Sequence, residues 1–180
     1  MVQTQNGYDL FELLSALQKC IRRGMEYSAV HFAVELEEHN PTALWNRLKI
    51  IASEDVGVAN PPMPIMIETL HKHYCESKSK LNNDSYRLFV VNAVICLCRS
   101  PKSRITDDLL KVVYIERQFE RNKLPQIPNF ALDMHTYRGK INGRGIDHFY
   151  SEGAKLENEA FPNPYTEKAK ELELKYGKPS

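Results

Sequence analysis

Apolar residues recur every three or four positions along most of this 180-residue chain. The first series consists of Leu10, Leu13, Leu14, Leu17 and Ile21. Residues at these spacings share one face of an α-helix. We find no convincing alternation of apolar and polar residues, the pattern of a half-buried strand, and no internal repeat. The sequence therefore predicts a compact all-α fold of six or seven helices.

Residues at the ends of the apolar series predict where the first helices begin and end. Gly24 stands where the C-cap of the first helix is expected, and a second helix is predicted over residues 25–38. Asn40 followed by Pro41 is typical of a helix start, since asparagine caps and proline fits the first turn. Gly57 is expected to end this third helix.

Later helices are predicted over residues 63–77 and 86–98, and from Thr106 onward. The segment 86–98 is apolar on nearly every face, which predicts a central, enclosed helix. Thr106 is expected to cap its helix, and residues 77–85 to form a polar loop. The last helix is predicted to end at Gly177 and Pro179. We predict one helical domain over residues 1–155 and a polar tail with a short exposed helix over 156–180.

Several protein classes are disfavoured. No apolar run approaches the roughly 20 residues that span a bilayer, and the first ten residues lack the pattern of a signal peptide. The four cysteines fit a reducing compartment. Cys96 and Cys98 lie in an apolar run and are interpreted as small buried side chains rather than a metal or redox pair. We expect a cytoplasmic protein without a membrane partner.

The net charge of +1 hides a basic segment near the C-terminus. Residues 99–145 contain ten Lys/Arg against five Asp/Glu. This segment is a candidate anion-binding face, although solvated surface charge is the simpler explanation. Its glycine-rich end, HTYRGKINGRGIDHF, offers Tyr137 and Phe149 for stacking on bases and three glycines for close backbone approach. The candidate nucleic-acid-binding or anion-binding residues are Arg99, Lys102, Ser103, Arg104, Arg138, Lys140 and Arg144. The alternative is that these cations pair with acids of a neighbouring subunit.

The motifs of common enzymes are missing. Gly139-Lys140 is followed by Ile141, so the segment is not the phosphate-binding loop of a nucleotide hydrolase. Spacings such as His31-Glu35-His39 and His71-His73-Cys75 do not complete a tetrahedral metal site. The adjacent carboxylates Glu54 and Asp55 are expected to face apart at a helix end and to hydrogen-bond a neighbouring loop. We predict no catalytic residue, no metal and no cofactor.

Four segments, taken together, resemble one protein family. They are YDLFELLSALQKCIRRG (8–24), RLKIIASEDVGVANP (47–61), VNAVICLCRSPKS (91–103) and HTYRGKINGRGIDHF (135–149). In order and approximate spacing they are similar to the C-terminal half of the RarA/MgsA family of replication-associated recombination AAA+ ATPases, relatives of the Werner-helicase-interacting ATPase. The resemblance covers about residues 8–155.

The resemblance implies an α-helical domain related to the clamp-loader collar. In that family the domain assembles tetramers and supports DNA replication, repair and recombination at stalled forks and single-stranded DNA ends. The family's motif positions are occupied here by Ser15, Lys19, Arg22, Gly24, Glu54, Asp55, Gly57, Ser100, Pro101, Lys102, Ser103, His135, Gly139 and Gly145. The chain departs from the motifs at Cys20, where the family often has serine, and at Arg23, which is an extra residue.

The ATPase half of the family is absent from this sequence, and two explanations stay open. The chain is either a fragment of a longer DNA-dependent ATPase or a stand-alone protein, such as one encoded by a mobile element. Our first hypothesis is a non-enzymatic module that forms homotetramers and whose basic segment binds single-stranded or forked DNA, or the acidic surface of a partner. A second is a regulator that co-assembles with a full-length AAA+ ATPase. A third is a metal-dependent hydrolase that uses His31, Glu35, Glu54 and Asp55.

Overall fold

The computed structural model describes residues 3–80 and 84–177. In these ranges the chain is helical, and the only β-type pairing is an isolated bridge between Gln3 and Asp9. This confirms the all-α prediction. The helices are α1 (Leu10–Arg22), α2 (Glu26–His39), α3 (Pro41–Ile51), α4 (Met63–Lys80), α5 (Arg87–Arg99), α6 (Ile105–Phe119), α7 (Tyr137–Ile141), α8 (Ile146–His148) and α9 (Thr166–Tyr176). The number expected from the sequence was lower because α7 and α8 are too short to show a helical period.

The chain divides into two compact units, Met1–Arg121 and Asn122–Ser180. The domain boundary predicted between residues 155 and 156 therefore falls inside the second unit. Two further sequence predictions, the helix stop at Pro179 and the part of the polar loop at residues 81–83, lie outside the described residues. The loop prediction was wrong for residues 77–80, which extend α4 to Lys80, where Lys78 bonds Glu37 at 2.8 Å. No helix within the described ranges is both long and apolar enough to cross a membrane.

The first unit is built around a core shared by α1 to α5. Asp9 caps α1, since its Oδ1 accepts hydrogen bonds from the amides of Phe11 (2.9 Å) and Glu12 (3.1 Å). The predicted apolar face of α1 is buried, and Gly24 follows the helix with a φ of 67° that suits glycine. Asn40 caps α3 as predicted, because its Oδ1 accepts from the Ala43 amide at 3.0 Å. The core consists mainly of Leu13, Leu17, Ile21, Ala29, Ala33, Leu36, Leu44, Trp45, Leu48, Ile51, Ile67, Val90, Val94 and Leu97.

The C-terminal end of α3 widens before it stops. Residues Ala52–Val56 form a π-helical turn, and Gly57 ends it with a φ of 47° and a ψ of −125°. Single π-helical turns occur often at functional sites. Here the turn carries Glu54 and Asp55, so the widening determines where both carboxylates point.

Helix α5 is central but not enclosed on all sides. It packs against α1, α2, α3 and α4, and buries Val90, Ala93 and Leu97 among others. Leu88, however, is 68% exposed. The prediction of an enclosed helix was therefore wrong for one face, because an apolar residue alone does not require a partner on the same chain.

Helix α6 begins one residue before Thr106, and Arg104 is its N-cap. The prediction that Thr106 caps this helix was wrong, since Thr106 lies in the first turn near Gly57. No residue of α6 is buried, although the helix carries a long apolar series. Its N-terminal end contacts the π-helical turn and the 3₁₀ turn Gly57–Ala59.

The second unit consists of α7, α8, α9 and short turns. Within its described residues only Leu132 and Gly139 are buried. The predicted exposed helix near the C-terminus is confirmed as α9, which has no buried residue.

Candidate functional site

The most unusual surface of the first unit is the exposed apolar side of α6. We call the eight large apolar residues of this helix the α6 surface. Each of them is 40–72% exposed. They are Ile105, Leu109, Leu110, Val112, Val113, Tyr114, Ile115 and Phe119. Single exposed apolar residues are common, but eight exposed large apolar residues on one helix, with none buried, favour a site of association.

The second unit also exposes more apolar side chains than it buries. Phe161 is 80% exposed, Tyr137 79%, Tyr165 74% and Leu156 71%. Among its described residues, Leu132 is the only large apolar side chain that is buried. A segment of this size with so little core lacks the apolar burial that normally offsets the entropy of ordering a chain. This surface is therefore a second candidate for association.

Two carboxylates of the family motifs, Glu54 and Asp55, form ion pairs with two arginines, Arg22 and Arg104, in one cluster. Arg22 Nε donates to Asp55 Oδ1 at 2.6 Å, and Arg22 also donates to Glu54 Oε1 at 2.8 Å. Arg104 donates to the same two oxygens at 3.1 Å and 3.3 Å, and it pairs with Asp107 as well. The hydrogen bond to Glu54 raises the pKa of Arg104, and the hydrogen bond from Lys111 lowers the pKa of Asp107. Asp55 is only 1% exposed, so its charge is compensated almost entirely by protein groups.

This cluster joins three parts of the first unit. Gln18 Nε2 donates to Asp55 Oδ2 at 2.8 Å, and Arg47 donates to Gln18 Oε1 at 2.9 Å. The Ser103 amide donates to the Asp55 carbonyl at 2.9 Å. The prediction that Glu54 and Asp55 hydrogen-bond a neighbouring loop is confirmed. The prediction that they face apart was wrong, because the π-helical turn directs both carboxylates to the same two arginines.

Gln18 and Arg47 belong to this cluster, although the sequence did not predict a role for either residue. A signal was present, since Gln18 is a polar residue on the apolar face of α1 and is buried. A buried polar side chain requires a hydrogen-bond partner. Arg47 gives no comparable signal.

The candidate cations of the first unit all have partners on the same chain. Arg99 forms two hydrogen bonds with the Glu26 carboxylate, at 2.7 Å and 3.0 Å, and Lys102 Nζ donates to the carbonyls of Cys98 (2.8 Å) and Ser100 (3.0 Å). The Lys102 ammonium thus binds the last carbonyls of α5, where a cation is stabilised by the helix dipole. Ser103 Oγ accepts from the Ile105 amide at 3.3 Å, and Pro101 separates α5 from this turn.

The glycine-rich segment closes on itself rather than leaving an open loop. A Cβ atom on Gly139 would lie 1.8 Å from the Asp133 carbonyl oxygen, so only glycine allows this approach. Thr136 caps α7 by accepting from the Gly139 amide at 3.0 Å. Arg144 donates to the Leu132 carbonyl at 2.7 Å and also bonds Asn129. Gly139 therefore lies close to the protein's own backbone. The guanidinium of Arg144 forms hydrogen bonds that stabilise the turn.

Arg138 and Lys140 differ from the other candidate cations. Both are exposed on α7, and neither side chain has a hydrogen bond or ion pair with any described residue. Tyr137, the first residue of the same helix, is 79% exposed. Phe149 does not share this freedom, because its ring packs edge-on against His135 with the centroids 5.2 Å apart. The structure thus leaves Tyr137, Arg138 and Lys140 available as a group, which we call the α7 patch.

The remaining motif residues are structural in their contacts. Lys19 Nζ donates to Ser15 Oγ at 2.6 Å on the outer side of α1. Gly57 has a positive φ, and a Cβ there would meet Thr106 Oγ1 at 3.0 Å. Gly145 has open space around it. Cys98 is buried, and burial raises the pKa of its thiol to about 11, which agrees with its predicted role as a small core residue.

The residues considered for a hydrolase lie in different places. His31 and Glu35 line a groove beside the N-terminal turn, where Glu35 bonds Asn6 and His31 packs on Tyr27 at 4.7 Å. Glu54 lines a different cavity, between α3 and α6. In the described ranges, no three His, Cys, Asp or Glu side chains lie together as metal ligands would.

Comparisons with known proteins agree with the four motif segments. Residues 26–177 match the family model described as "MgsA AAA+ ATPase C terminal". The chain is also 29% identical over 169 residues to the replication-associated recombination protein A of Bacillus subtilis (strain 168). The alignment covers 91% of this chain and 38% of that relative, so the chain spans well under half of the relative's length. These matches confirm the family resemblance that the sequence motifs indicated.

Proposed function

Because the chain belongs to the MgsA AAA+ ATPase C-terminal family, we propose that it is a non-catalytic module that forms homo-oligomers in DNA replication and recombination. The observation that carries this proposal is the α6 surface. Eight large apolar side chains on one helix are exposed, and the helix itself buries none. A second copy of the chain that covers this surface removes the apolar side chains from water. The removal of apolar surface from water is the main driving force of association.

A pair of double variants tests the role of the α6 surface. Leu109→Glu with Ile115→Glu places two charges on it, at positions 58% and 56% exposed. The matched control, Leu88→Glu with Ile65→Glu, makes the same changes at positions 68% and 73% exposed on α5 and α4. In sedimentation velocity, we expect the α6 variant to dissociate and the control to keep the mass of the wild type. Both variants should stay folded by circular dichroism, since all four positions are exposed. Dissociation of the control alone, or of neither variant, contradicts the proposal.

We further propose that the oligomer binds single-stranded DNA through the α7 patch. The side chains of Arg138 and Lys140 form no ion pair with a described residue, and Tyr137 offers a ring on which a base can stack. Binding in this way needs no sequence recognition, because phosphates and base faces are common to all strands. The other four candidate cations already have intramolecular partners, so their contact with DNA is a weaker part of the same proposal. They are Arg99, Lys102, Arg104 and Arg144.

The salt dependence of binding tests the α7 patch. Each phosphate contact to a single strand contributes about −0.7 to the slope of log affinity against log salt. Arg138→Ala with Lys140→Ala should therefore weaken binding of a fluorescent oligonucleotide and flatten the slope by about 1.4 for each chain that contacts DNA. Lys72→Ala with Lys80→Ala removes the same charge from α4 and should leave the slope unchanged. Equal effects of both pairs would indicate that only overall charge matters.

The same surfaces would allow the chain to join a full-length ATPase that carries the same module. In that case the chain would be a regulator of mixed assemblies. Co-purification of the wild type with such an ATPase, and its loss with the Leu109→Glu/Ile115→Glu variant, would support this role. Failure of the wild type to co-purify would contradict it.

A further inference from the structure

Two asparagines of the chain are followed directly by glycine, at Asn6-Gly7 and at Asn142-Gly143. Such a pair is reactive, because the glycine nitrogen can attack the side-chain amide of the asparagine and glycine has no side chain to obstruct the attack. Both glycines have a positive φ, 82° for Gly7 and 68° for Gly143, and a Cβ on either would meet no atom within 4 Å. The two sites are therefore alike in sequence and backbone, and their surroundings decide which of them reacts.

Asn6 is held by a carboxylate from another helix. Its Nδ2 donates a hydrogen bond to Glu35 Oε2, and its backbone amide donates to Glu35 Oε1 at 3.4 Å. Attack by the Gly7 nitrogen requires the Asn6 side chain to rotate, so a hydrogen bond to a charged group must break first. The Glu35 carboxylate also adds negative charge near a nitrogen that must lose its proton in order to attack. Both effects protect Asn6.

Asn142 has the opposite surroundings. It is exposed at the C-cap of α7, and its side chain forms no hydrogen bond with a described residue. Lys140 and Arg144 stand two positions before and two positions after it. Positive charge stabilises the deprotonated Gly143 nitrogen, as it stabilises any anion that develops during a reaction. Asn142 therefore lacks both of the effects that protect Asn6.

One backbone hydrogen bond opposes the attack on Asn142. The Gly143 amide donates to the Lys140 carbonyl at 3.0 Å, as the Gly7 amide donates to the Thr4 carbonyl at the same distance. At Gly143 this bond belongs to the last turn of α7, a helix of only five residues. A helix this short is marginally stable, and its last turn opens locally at a small cost in free energy. Opening of the turn frees the Gly143 nitrogen to attack.

We propose that Asn142 is a site of spontaneous deamidation and that Asn6 is protected from the same reaction. The deprotonated Gly143 nitrogen bonds to Asn142 Cγ, the Cγ–Nδ2 bond breaks, and ammonia leaves with the proton that the nitrogen lost. Water then adds to either carbonyl carbon of the cyclic imide, returns a proton to the nitrogen and leaves aspartate or isoaspartate. The reaction consumes only water, and it does not depend on the functions proposed above.

The conversion also changes the charge beside the α7 patch. A neutral amide becomes a carboxylate two positions from Lys140. This consequence, unlike the reaction itself, rests on the proposed binding of DNA by the α7 patch. Converted protein, separated by ion exchange, should bind the fluorescent oligonucleotide about twofold or more weakly at low salt, and the difference should shrink as salt is added. Equal binding by converted and unconverted protein would contradict DNA binding by the α7 patch and leave the deamidation standing.

Cleavage after lysine measures the two sites separately in the full-length protein. It releases residues 1–19, in which Asn6 is the only asparagine, and residues 141–155, in which Asn142 is the only one. During incubation in mildly alkaline buffer, mass spectrometry follows the mass gain of each fragment, and chromatography separates aspartate from isoaspartate. We expect Asn142 to convert at least about tenfold faster than Asn6, with isoaspartate among the products. Equal rates at both sites in the folded protein overturn the proposal. So does conversion of neither site in the folded protein when both convert in denaturant.

Two variants test the causes of the selectivity. Glu35→Gln removes the charge that holds Asn6, so Asn6 should convert about threefold or more faster while Asn142 is unchanged. Gly139→Ala opens the turn that holds the Gly143 amide, so Asn142 should convert about tenfold or more faster while Asn6 is unchanged. Unchanged rates at both sites in both variants would refute the assignment, even if Asn142 converts faster in the wild type.

Discussion

Asp55 is the residue on which the polar contacts of the first unit converge. Its carboxylate accepts from Gln18, Arg22 and Arg104, and its carbonyl accepts from the Ser103 amide. Asp55→Asn keeps the size but removes the charge that these two arginines share. We expect a loss of about 3 kcal/mol in the free energy of unfolding, measured with denaturant, since breaking a buried ion pair leaves a charge uncompensated.

Glu54 provides the matched control for this prediction. It contacts the same two arginines, but its side chain is 26% exposed against 1% for Asp55. Water can therefore replace part of its contacts, and Glu54→Gln should cost less than about 1 kcal/mol. A larger loss for Glu54→Gln than for Asp55→Asn would show that burial does not decide the strength of this cluster.

Glu37 links stability to pH. Burial alone would raise the pKa of its carboxyl, but hydrogen bonds from Lys78 and Tyr74 outweigh burial and hold the pKa below the ordinary value of 4.5. A depressed pKa in the folded state stabilises the fold above the unfolded-state pKa, and this contribution disappears as the pH falls through the folded-state pKa. Glu37→Gln should therefore destabilise by about 2 kcal/mol at neutral pH and by much less in acid. Denaturant titrations at several pH values measure the difference.

The control for Glu37 is its neighbour Glu38. Its side chain is 43% exposed and pairs only with Arg87 among the described residues. Glu38→Gln should change stability little at any pH. If Glu37→Gln lowers the free energy of unfolding equally at neutral and acidic pH, the hydrogen bonds do not stabilise the charged form of Glu37.

At the level of elements, helical period and capping residues predicted α1 to α5 closely. Asn40 and Gly24 act as predicted because capping depends on residues close in sequence. Thr106 is not the cap, because Arg104 takes that position while its side chain donates a hydrogen bond to Glu54, about fifty residues earlier in the chain. The π-helical turn at Ala52–Val56 also has no local signal. Contacts between distant segments override local preference at both places.

The structure of α7 depends on one close approach of backbone to backbone. Gly139→Ala would place a methyl group 1.8 Å from the Asp133 carbonyl oxygen, whereas Gly145→Ala would enter open space. We expect Gly139→Ala to open the turn at a cost of at least about 2 kcal/mol. Hydrogen exchange of the amides of residues 136–144 measures this opening. Equal exchange in the two variants would contradict the contact.

At the scale of the whole molecule, apolar surface is distributed unevenly. The first unit has a continuous core between α1 and α5, while α6 and the second unit expose most of their large apolar side chains. The sequence predicted association and a basic segment, but not which cations are free. Local composition does not reveal that Arg99 pairs with Glu26, or that the side chains of Arg138 and Lys140 form no ion pair with a described residue. Pairing depends on residues far apart in the chain.

The mass of the wild-type chain in solution tests the central claim most directly. One chain has a mass of 20.8 kDa. We expect light scattering coupled to size exclusion to give four times that mass, held over a tenfold range of protein concentration. The proposed association through the α6 surface, together with the tetramer that the family resemblance implies, predicts this mass. A particle with the mass of one chain at every concentration would contradict the account.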